Sequence, residues 1–289
     1  MQRPTRKRAR FRAGLVATIA AGATACSALV PDLPAPPDAA MEDGPPESAP
    51  GADATNEDAG WDAPIGTNDA SDGGSPGADA TSGAPTFVQS NSFASGPTAS
   101  GGGTLSATFA GPQTAGDLIV AIVIVWSGAV SQTPVDTKGN QYHLAKHQLS
   151  NGANAGDIYI WYAWNCAAAT ANSNTVTVSV PSNTYQDLII EECTKVQSAA
   201  DPLDVTGGAN GATGAPSCTA SPIVAGVAVA GSISDNGQKD AGGGWKLRVD
   251  TTDGELAIDQ VVSSPGTITP NTTPADDGWT IAVAVFKAQ

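Results

Sequence analysis

The 289-residue sequence contains few charged residues and very few bases, and no long stretch follows the 3.6-residue period of a helix. Charged residues make up 14%, and 13 lysines and arginines stand against 28 acids, which gives a net charge of −15. Proteins that bind nucleic acid need a basic surface to neutralise phosphates, so the composition argues against this class. Coiled coils and charged helical bundles are excluded because they need many Glu, Lys and Leu residues.

Residue types for metal binding and acid–base catalysis are also scarce. The only histidines are His143 and His147, and no two cysteines have Cys-x-x-Cys spacing. Four residues of strand place the histidines roughly 13 Å apart, too far to share one zinc ion. Glu191 and Glu192 are neighbours in a strand-like run and are expected to face opposite ways, so they cannot act as a glycosidase pair. We predict a protein that is not an enzyme, with a polysaccharide hydrolase as a less favoured alternative.

The first 25 residues have the layout of an export signal. Six bases precede residue 13, and a short apolar stretch then leads to residues 23–26, Ala-Thr-Ala-Cys. This end resembles the lipobox of bacterial lipoproteins, with Ala23 where that family usually has Leu. The resemblance implies a lipid on Cys26 and a membrane as a partner, and Ser27 favours the outer membrane or cell surface. The alternative is an ordinary signal peptide in which Cys26 plays no part.

Residues 26–85 differ sharply in composition from the rest of the chain. They are rich in Ala, Pro and Gly, and they contain 12 acids and no base. Their few large apolar residues follow no period, so burial cannot offset the entropy of ordering the segment. We predict a disordered, extended linker that spaces a folded domain from a membrane, with an acidic interaction tail as the alternative.

Residues 86–289 are long enough for one globular domain, and sixteen acids and seven bases leave it at −9. Short runs rich in Val, Ile and aromatic residues alternate with clusters of Gly, Asn, Ser, Asp and Pro, which is typical of strands and turns. We predict an all-β fold, a single jelly-roll-like antiparallel β-sandwich. The predicted strands are 86–93, 104–109, 117–126, 141–147, 158–164, 175–180, 187–195, 223–232, 245–251, 255–262 and 279–287.

Three of these runs are expected to be central. Residues 118–126 are apolar on both faces, whereas 223–230 and 281–286 alternate large with small side chains. Period two places each set on its own face, so we expect the large set in the core between sheets and the small set outside, beneath a loop. The large set is Ile223, Val227, Val229, Ile281, Val283 and Val285. The small set is Gly226, Ala228, Ala230, Ala282 and Ala284.

Five short patches resemble a poorly characterised β-sandwich module of secreted and surface bacterial proteins. They lie at residues 116–120, 136–142, 158–163, 201–205 and 259–262. The resemblance implies a fold and an extracellular location. It implies no catalytic residue, because the module has none that is agreed upon.

Three cysteines follow Cys26, and export to an oxidising compartment permits a disulfide between two of them. Cys193–Cys218 is the favoured pair, because it would close 24 intervening residues and contribute roughly 3 kcal/mol in the chain-entropy model. Cys166 lies in a turn and competes for the same bond.

Two further groups of residues suggest ligands. Asp250, Asp253 and Glu255 surround a Gly turn with oxygen atoms, so calcium is the one candidate cofactor, against the alternative of a plain hairpin. Tyr159, Trp161, Tyr162 and Trp164 form the densest aromatic group, and alternation places them as two pairs on opposite faces of one strand. One pair is expected in the core. The other is either covered or an exposed platform for a carbohydrate.

The sequence thus predicts a surface-tethered lipoprotein whose β-sandwich binds an extracellular ligand, most concretely a carbohydrate. Jelly rolls often hold such sites, but this is analogy at the level of the fold. Trp126 and Trp245 fall at strand ends, where they either line a loop surface or anchor the loops. The alternative function is a structural or adhesive role in the cell envelope, with a surface protein as partner.

Overall fold

The computed structural model describes residues 83–95, 103–126, 129–130, 132–150, 156–180, 185–234, 240–251, 254–273 and 278–289. Within these ranges the chain contains no helix, and its strands form three antiparallel sheets that do not close into a barrel. The all-β prediction is therefore confirmed. Cys26, the predicted signal peptide and all but the last three residues of the predicted linker lie outside the described residues.

Eleven of the strands match the predicted runs, and two were missed. β4 has only two residues, and β9 contains three glycines, which the sequence analysis treated as loop. One of them, Gly207, is required by close packing, because a Cβ there would overlap the Thr219 carbonyl oxygen. The strands are β1 (Thr86–Ser95), β2 (Gly103–Thr108), β3 (Leu118–Val125), β4 (Val135–Asp136), β5 (His143–Gln148), β6 (Asp157–Ala163), β7 (Thr175–Val180), β8 (Gln186–Thr194), β9 (Leu203–Gly211), β10 (Gly226–Ser234), β11 (Lys246–Asp250), β12 (Leu256–Val262) and β13 (Trp279–Lys287).

The first eight strands follow the pairing pattern of a jelly roll. β1 pairs with β8, β2 with β7 and β3 with β6, as when a long ribbon of antiparallel strands rolls up. The resulting sheet A has the order β1-β8-β3-β6-β5, and sheet B has the order β2-β7-β4. The last five strands add sheet C, in the order β11-β12-β10-β13-β9. The predicted sandwich is thus a jelly roll with a third sheet packed on it.

Sheet A is the middle layer, and β3 shows why. All eight of its residues are fully buried, since alternate side chains enter two different cores. Ile119 and Val123 pack with sheet B, whereas Leu118 and Ile122 pack with sheet C. A strand that is apolar on both faces is stable only when both faces are covered, as the sequence of β3 predicted.

A third core lies on the outer face of sheet C, beneath the loops around Cys218 and Ile268. The prediction for β10 is confirmed: Val227 and Val229 face sheet A, and Ala228 and Ala230 lie under the loops. For β13 the prediction was wrong, because the predicted large set faces outward and the alanines face sheet A, together with Phe286. The outward set is Ile281, Val283 and Val285, the inward set is Ala282 and Ala284, and Ile223 is 73% exposed before β10 begins.

The reversal in β13 follows from the space that sheet A needs. Ala282 pairs with Gly231 of β10, and both face sheet A. A Cβ on Gly231 would lie 2.7 Å from Ile122 Cγ2 of β3. Small residues on β13 and β10 therefore admit the bulky side chains of β3, which the alternation within one strand could not reveal.

Contacts also join sheets A and C at the two ends of the sandwich. At the lower end, where β1 begins, the Gln289 amide donates to the Lys195 carbonyl at 3.0 Å. At the upper end, where β3 ends and β12 begins, Trp126 Nε1 lies 3.4 Å from Glu255 Oε1. The first strand of the sandwich therefore begins at the lower end, and Gln289 lies at this same end.

The two open sides between these sheets are closed differently. On one side, the β1/β11 seam, the Arg248 guanidinium lies 3.8 Å from the centre of the Phe87 ring. On the other, the β5/β9 seam, Asn210 Nδ2 donates to the Leu149 carbonyl at 2.9 Å. The first seam has a guanidinium over an aromatic ring, whereas the second has a neutral hydrogen bond, with Lys146 lying against Gly208.

Candidate functional site

The aromatic group on β6 does not form a platform. Tyr159 is 3% exposed and faces sheet B with Trp161, whereas Tyr162 is 2% exposed and faces sheet C with Trp164. The two-pair alternation was predicted correctly, but both faces are covered, because sheet A is a middle layer. The speculative glycan site at these residues is therefore corrected to core packing.

Tyr162 illustrates the structural role of this group. Its hydroxyl donates to Asp201 Oδ1 at 2.9 Å, and its ring lies 5.2 Å from that of Phe286. Burial and the Asp201 carboxylate both raise the pKa of Tyr162 above its ordinary value. Asp201 also accepts the Leu203 amide at 2.9 Å, so it fixes the start of β9.

The candidate calcium loop is a hairpin turn between β11 and β12. Glu255 is fully buried, and Thr251 Oγ1 donates to its carboxylate at 2.6 Å. The Thr251 amide donates to the Glu255 carbonyl, and Gly254 takes the positive φ of 99° that closes the turn. Asp250 is exposed, and Asp253 lies outside the described residues. In the described part of the chain no three His, Cys, Asp or Glu side chains are grouped to hold a metal ion.

Cys166, Cys193 and Cys218 are free, buried thiols, so the predicted Cys193–Cys218 disulfide is wrong for this structure. Cys193 faces sheet A's interface with sheet C, whereas Cys218 lies in the core outside sheet C. The backbone of sheet C separates the two sulfurs, because they belong to cores on its opposite faces. Cys166 belongs to the core between sheets A and B, and so it is remote from both cores that hold the other thiols.

The two histidines have separate partners. His147 Nε2 lies 3.0 Å from Asp157 Oδ2, and its ring stacks on Tyr159 with centroids 3.9 Å apart. The His143 ring instead lies 4.6 Å from that of Trp164, which faces sheet C. A β-bulge between Leu144 and Lys146 shifts the register and turns the two histidines to different faces of the strand. They cannot bind one ion.

Glu191 lies in a closed apolar interface, facing sheet C. Neither of its carboxyl oxygens has a hydrogen-bond partner among the described residues. Burial raises the pKa of Glu191 to about 8, Asp259 raises it further, and Arg248 lowers it. Arg248 Nε forms an ion pair with Asp259 Oδ2 at 2.9 Å, and Cys193 lies against the same group. Sequence reasoning missed this cluster, because its members come from three strands.

Glu192 faces the other way, toward sheet B, as predicted. Gln89 Nε2 donates to Glu192 Oε2 at 2.6 Å, and Asp117 is hydrogen-bonded to the same carboxyl group. Burial raises the pKa of Glu192 to about 7, the Gln89 hydrogen bond lowers it, and Asp117 raises it. Nearby, Asn174 Nδ2 donates to Gln113 Oε1 at 2.8 Å. Glu192 therefore lies among polar side chains, whereas Glu191 does not.

The patch at residues 136–142 is a turn organised by one carboxylate. Asp136 Oδ1 accepts the amides of Lys138 and Asn140, both at 3.0 Å. Asp136 Oδ2 accepts Asn140 Nδ2 at 2.7 Å and the Tyr142 hydroxyl at 3.2 Å. Since both oxygens are occupied by donors, this carboxylate serves the fold. The same holds for Asp201 in the patch at 201–205.

The upper end of the sandwich presents the best candidate binding surface. Trp126 follows β3 directly and Tyr185 precedes β8, and the Trp126 amide donates to the Tyr185 carbonyl at 3.2 Å. Their rings lie 6.2 Å apart at 60°, with Tyr185 40% exposed and Trp126 half-buried. Glu255 lies behind the indole. Trp245, by contrast, is 5% exposed and anchors a loop. Sequence reasoning singled out Trp126 but missed Tyr185.

An apolar groove of about 370 Å³ lies at the opposite, lower end. It is lined by the incoming chain at Ala84 and Pro85, by Val261 at the end of β12, and by Ala288 near the C-terminus. Ser263 and Gln289 are the polar residues among those that line it.

Comparison with protein families, curated proteins and solved structures finds no match for the chain. Among the residues that the structure describes, none form a helix with the length and apolar character needed to cross a membrane.

Proposed function

We propose that the protein is a surface-tethered, non-catalytic lipoprotein whose β-sandwich binds an extracellular carbohydrate at its upper end. The observation that carries this proposal is the placement of the Trp126–Tyr185 pair opposite the point where the chain enters. β1 has ten residues and begins at the lower end, so roughly 30 Å separate Thr86 from the upper loops. The upper end is therefore the end of the sandwich away from the point where the proposed tether would attach.

The chemistry of the upper end suits a sugar. Aromatic rings offer apolar faces to the C–H groups of a sugar, while nearby polar groups fix its orientation. Trp126 and Tyr185 supply tilted rings, and a backbone hydrogen bond between them sets their spacing. This pair takes the place of the aromatic group on β6 as the proposed ligand-binding surface.

The test is binding of the full chain to a panel of bacterial and plant polysaccharides, with calcium and with chelator. We expect saturable binding that soluble sugar competes away and that Trp126→Ala or Tyr185→Ala weakens tenfold or more. The matched control is Phe93→Ala, which removes a ring of similar exposure, 42%, from β1. Equal loss in all three variants, or no binding to any polysaccharide, would rule out this site. Release of shortened polysaccharide would favour a hydrolase.

A structural or adhesive role is the second candidate, and the outer face of sheet B favours it. This face is exposed and carries hydroxyl groups without a charged side chain on β2 or β7. Ser106 Oγ and Thr177 Oγ1 lie 3.0 Å apart, and Thr108 Oγ1 and Thr175 Oγ1 lie 2.8 Å apart. An uncharged, hydroxyl-rich surface of this kind suits contact with another protein. Envelope proteins crosslinked to Ser106→Cys would support it.

A further inference from the structure

The β1/β11 seam places two acids and the Arg248 guanidinium beside the apolar core between sheets A and C, and Asp187 and Glu255 lie farther up the same interface. Glu191 on β8 faces Asp259 on β12, and Arg248 on β11 closes the seam over Phe87 on β1. Cys193 lies beside Glu191 on β8, and Lys246 on β11 acts on Asp259 from the seam's outer edge. The strands that face this group from the middle of the two sheets, β3 and β10, contribute apolar side chains.

One guanidinium cannot neutralise both carboxylates equally. Arg248 Nε lies 2.9 Å from Asp259 Oδ2, and the guanidinium carbon lies 3.8 Å from the centre of the Phe87 ring. Glu191 lacks a hydrogen-bond partner among the described residues and is fully buried, so it is tolerated there as the neutral acid. An ionised Glu191 would place a second carboxylate beside the Arg248–Asp259 ion pair, where it is fully buried.

We propose that the β1/β11 seam is a proton-dependent clasp, closed while Glu191 carries a proton and opened when Glu191 ionises. Opening separates β1 from β11 and exposes Glu191 to water, where it releases its proton to solvent. The β5/β9 seam has no fully buried acid on its two strands: Asn210 donates to the Leu149 carbonyl there, and Lys146 lies against Gly208. It should stay closed over the same pH range.

The expected pH dependence follows from proton linkage. The open seam binds one proton fewer than the closed seam at any pH between the ordinary carboxyl pKa and about 8, the pKa to which burial raises Glu191. The opening constant should therefore rise tenfold for each pH unit in that window and become constant above it. Acid conditions tighten the clasp, and neutral to alkaline conditions loosen it.

The test is hydrogen exchange of the full chain by mass spectrometry from pH 5.5 to 9, corrected for the intrinsic pH dependence of exchange. We expect the protection of β1 and β11 peptides to fall tenfold per pH unit up to about pH 8, while β5 and β9 peptides keep theirs. Glu191→Gln should abolish the dependence at β1 and β11. Glu192→Gln is the matched control, because it changes the neighbouring acid that faces sheet B.

A second variant keeps the clasp testable if Glu191→Gln fails to fold. Asp259→Asn removes the competing carboxylate, so Arg248 is free to neutralise an ionised Glu191 and the seam should stay protected at pH 9. The proposal is overturned if Glu191→Gln or Asp259→Asn keeps the wild-type pH dependence. It is overturned equally if both seams lose protection together.

Discussion

Glu191 and Glu192 are adjacent on β8, yet they enter opposite faces of sheet A and meet opposite environments. Glu191 faces sheet C without a hydrogen bond, and Glu192 faces sheet B within a network that includes Gln89 and Asp117. Burial raises the pKa of both acids, to about 8 and about 7. The lesson is that two interfaces of one sheet can bury the same residue type in different ways: one acid has no hydrogen-bond partner among the described residues, and the other lies among polar side chains.

The interface between sheets A and C should be the more sensitive to lost side-chain volume. Phe286 is fully buried between sheets A and C, and Phe286→Ala should destabilise the protein by about 4–5 kcal/mol, because a large cavity remains among closely packed side chains. Urea unfolding at pH 6 measures the change. Phe109→Ala, in the core beside the polar network, should cost less, about 3 kcal/mol. Equal losses of unfolding free energy in the two variants would contradict this difference between the interfaces.

The second prediction concerns the pH dependence of global stability. The folded state keeps the Glu191 proton up to about pH 8, whereas the unfolded chain releases it above the ordinary carboxyl pKa. Stability should therefore fall by roughly 4 kcal/mol between pH 5 and pH 8 from this group. Glu191→Gln carries no proton to lose and should flatten this part of the curve. A wild-type profile that rises over this range would contradict the assignment.

Glu192 should act over a narrower range. Its folded pKa is near 7, so its contribution to the fall should end about one pH unit earlier and amount to roughly 2 kcal/mol. Glu192→Gln should leave the slope between pH 7 and 8 unchanged, because that part belongs to Glu191. Chemical denaturation at closely spaced pH values separates the two. If both variants lost the same part of the pH dependence of the unfolding free energy, the two acids would titrate as one unit across the sheet.

The smallest effect concerns the thiols, one in each interface. Burial raises the pKa of Cys166 to about 12 and that of Cys193 well above its ordinary value, so neither forms a reactive thiolate at pH 8. Both should resist alkylation in the folded protein, and a reducing agent should change the unfolding free energy by less than about 0.5 kcal/mol. Non-reducing peptide maps check this. A peptide joining Cys193 to Cys218 would restore the disulfide that the sequence favoured.

Much of the fold could be predicted because period-two patterns are local. The runs that became β3 and β10 carry their own evidence of burial, and the opposite facing of Glu191 and Glu192 follows from alternation alone. The direction in which β13 faces could not be predicted, since it depends on Ile122 in another sheet. β9 was missed because Gly207 is there for packing against Thr219, and glycine normally indicates a turn.

The candidate site was less accessible to sequence reasoning. The aromatic group on β6 looked like a platform, because a single strand does not reveal whether its sheet is an outer or a middle layer. Trp126 and Tyr185 are 59 positions apart, and Arg248, Asp259 and Glu191 come from three strands. Such groups come together only through sheet order, which patterns along the chain do not encode.

The pairing of β1 with β8 also has a consequence for how the chain acquires its structure. Thr86 pairs with Thr194, so β1 and its partner strand are separated by more than a hundred residues along the chain. Closing such long loops before any contact rewards them slows folding to the range of milliseconds to seconds. Until β8 is in place, β3 has two apolar faces and incomplete cover. A chain interrupted or cleaved before residue 186 would keep these faces exposed, and aggregation would be its expected fate.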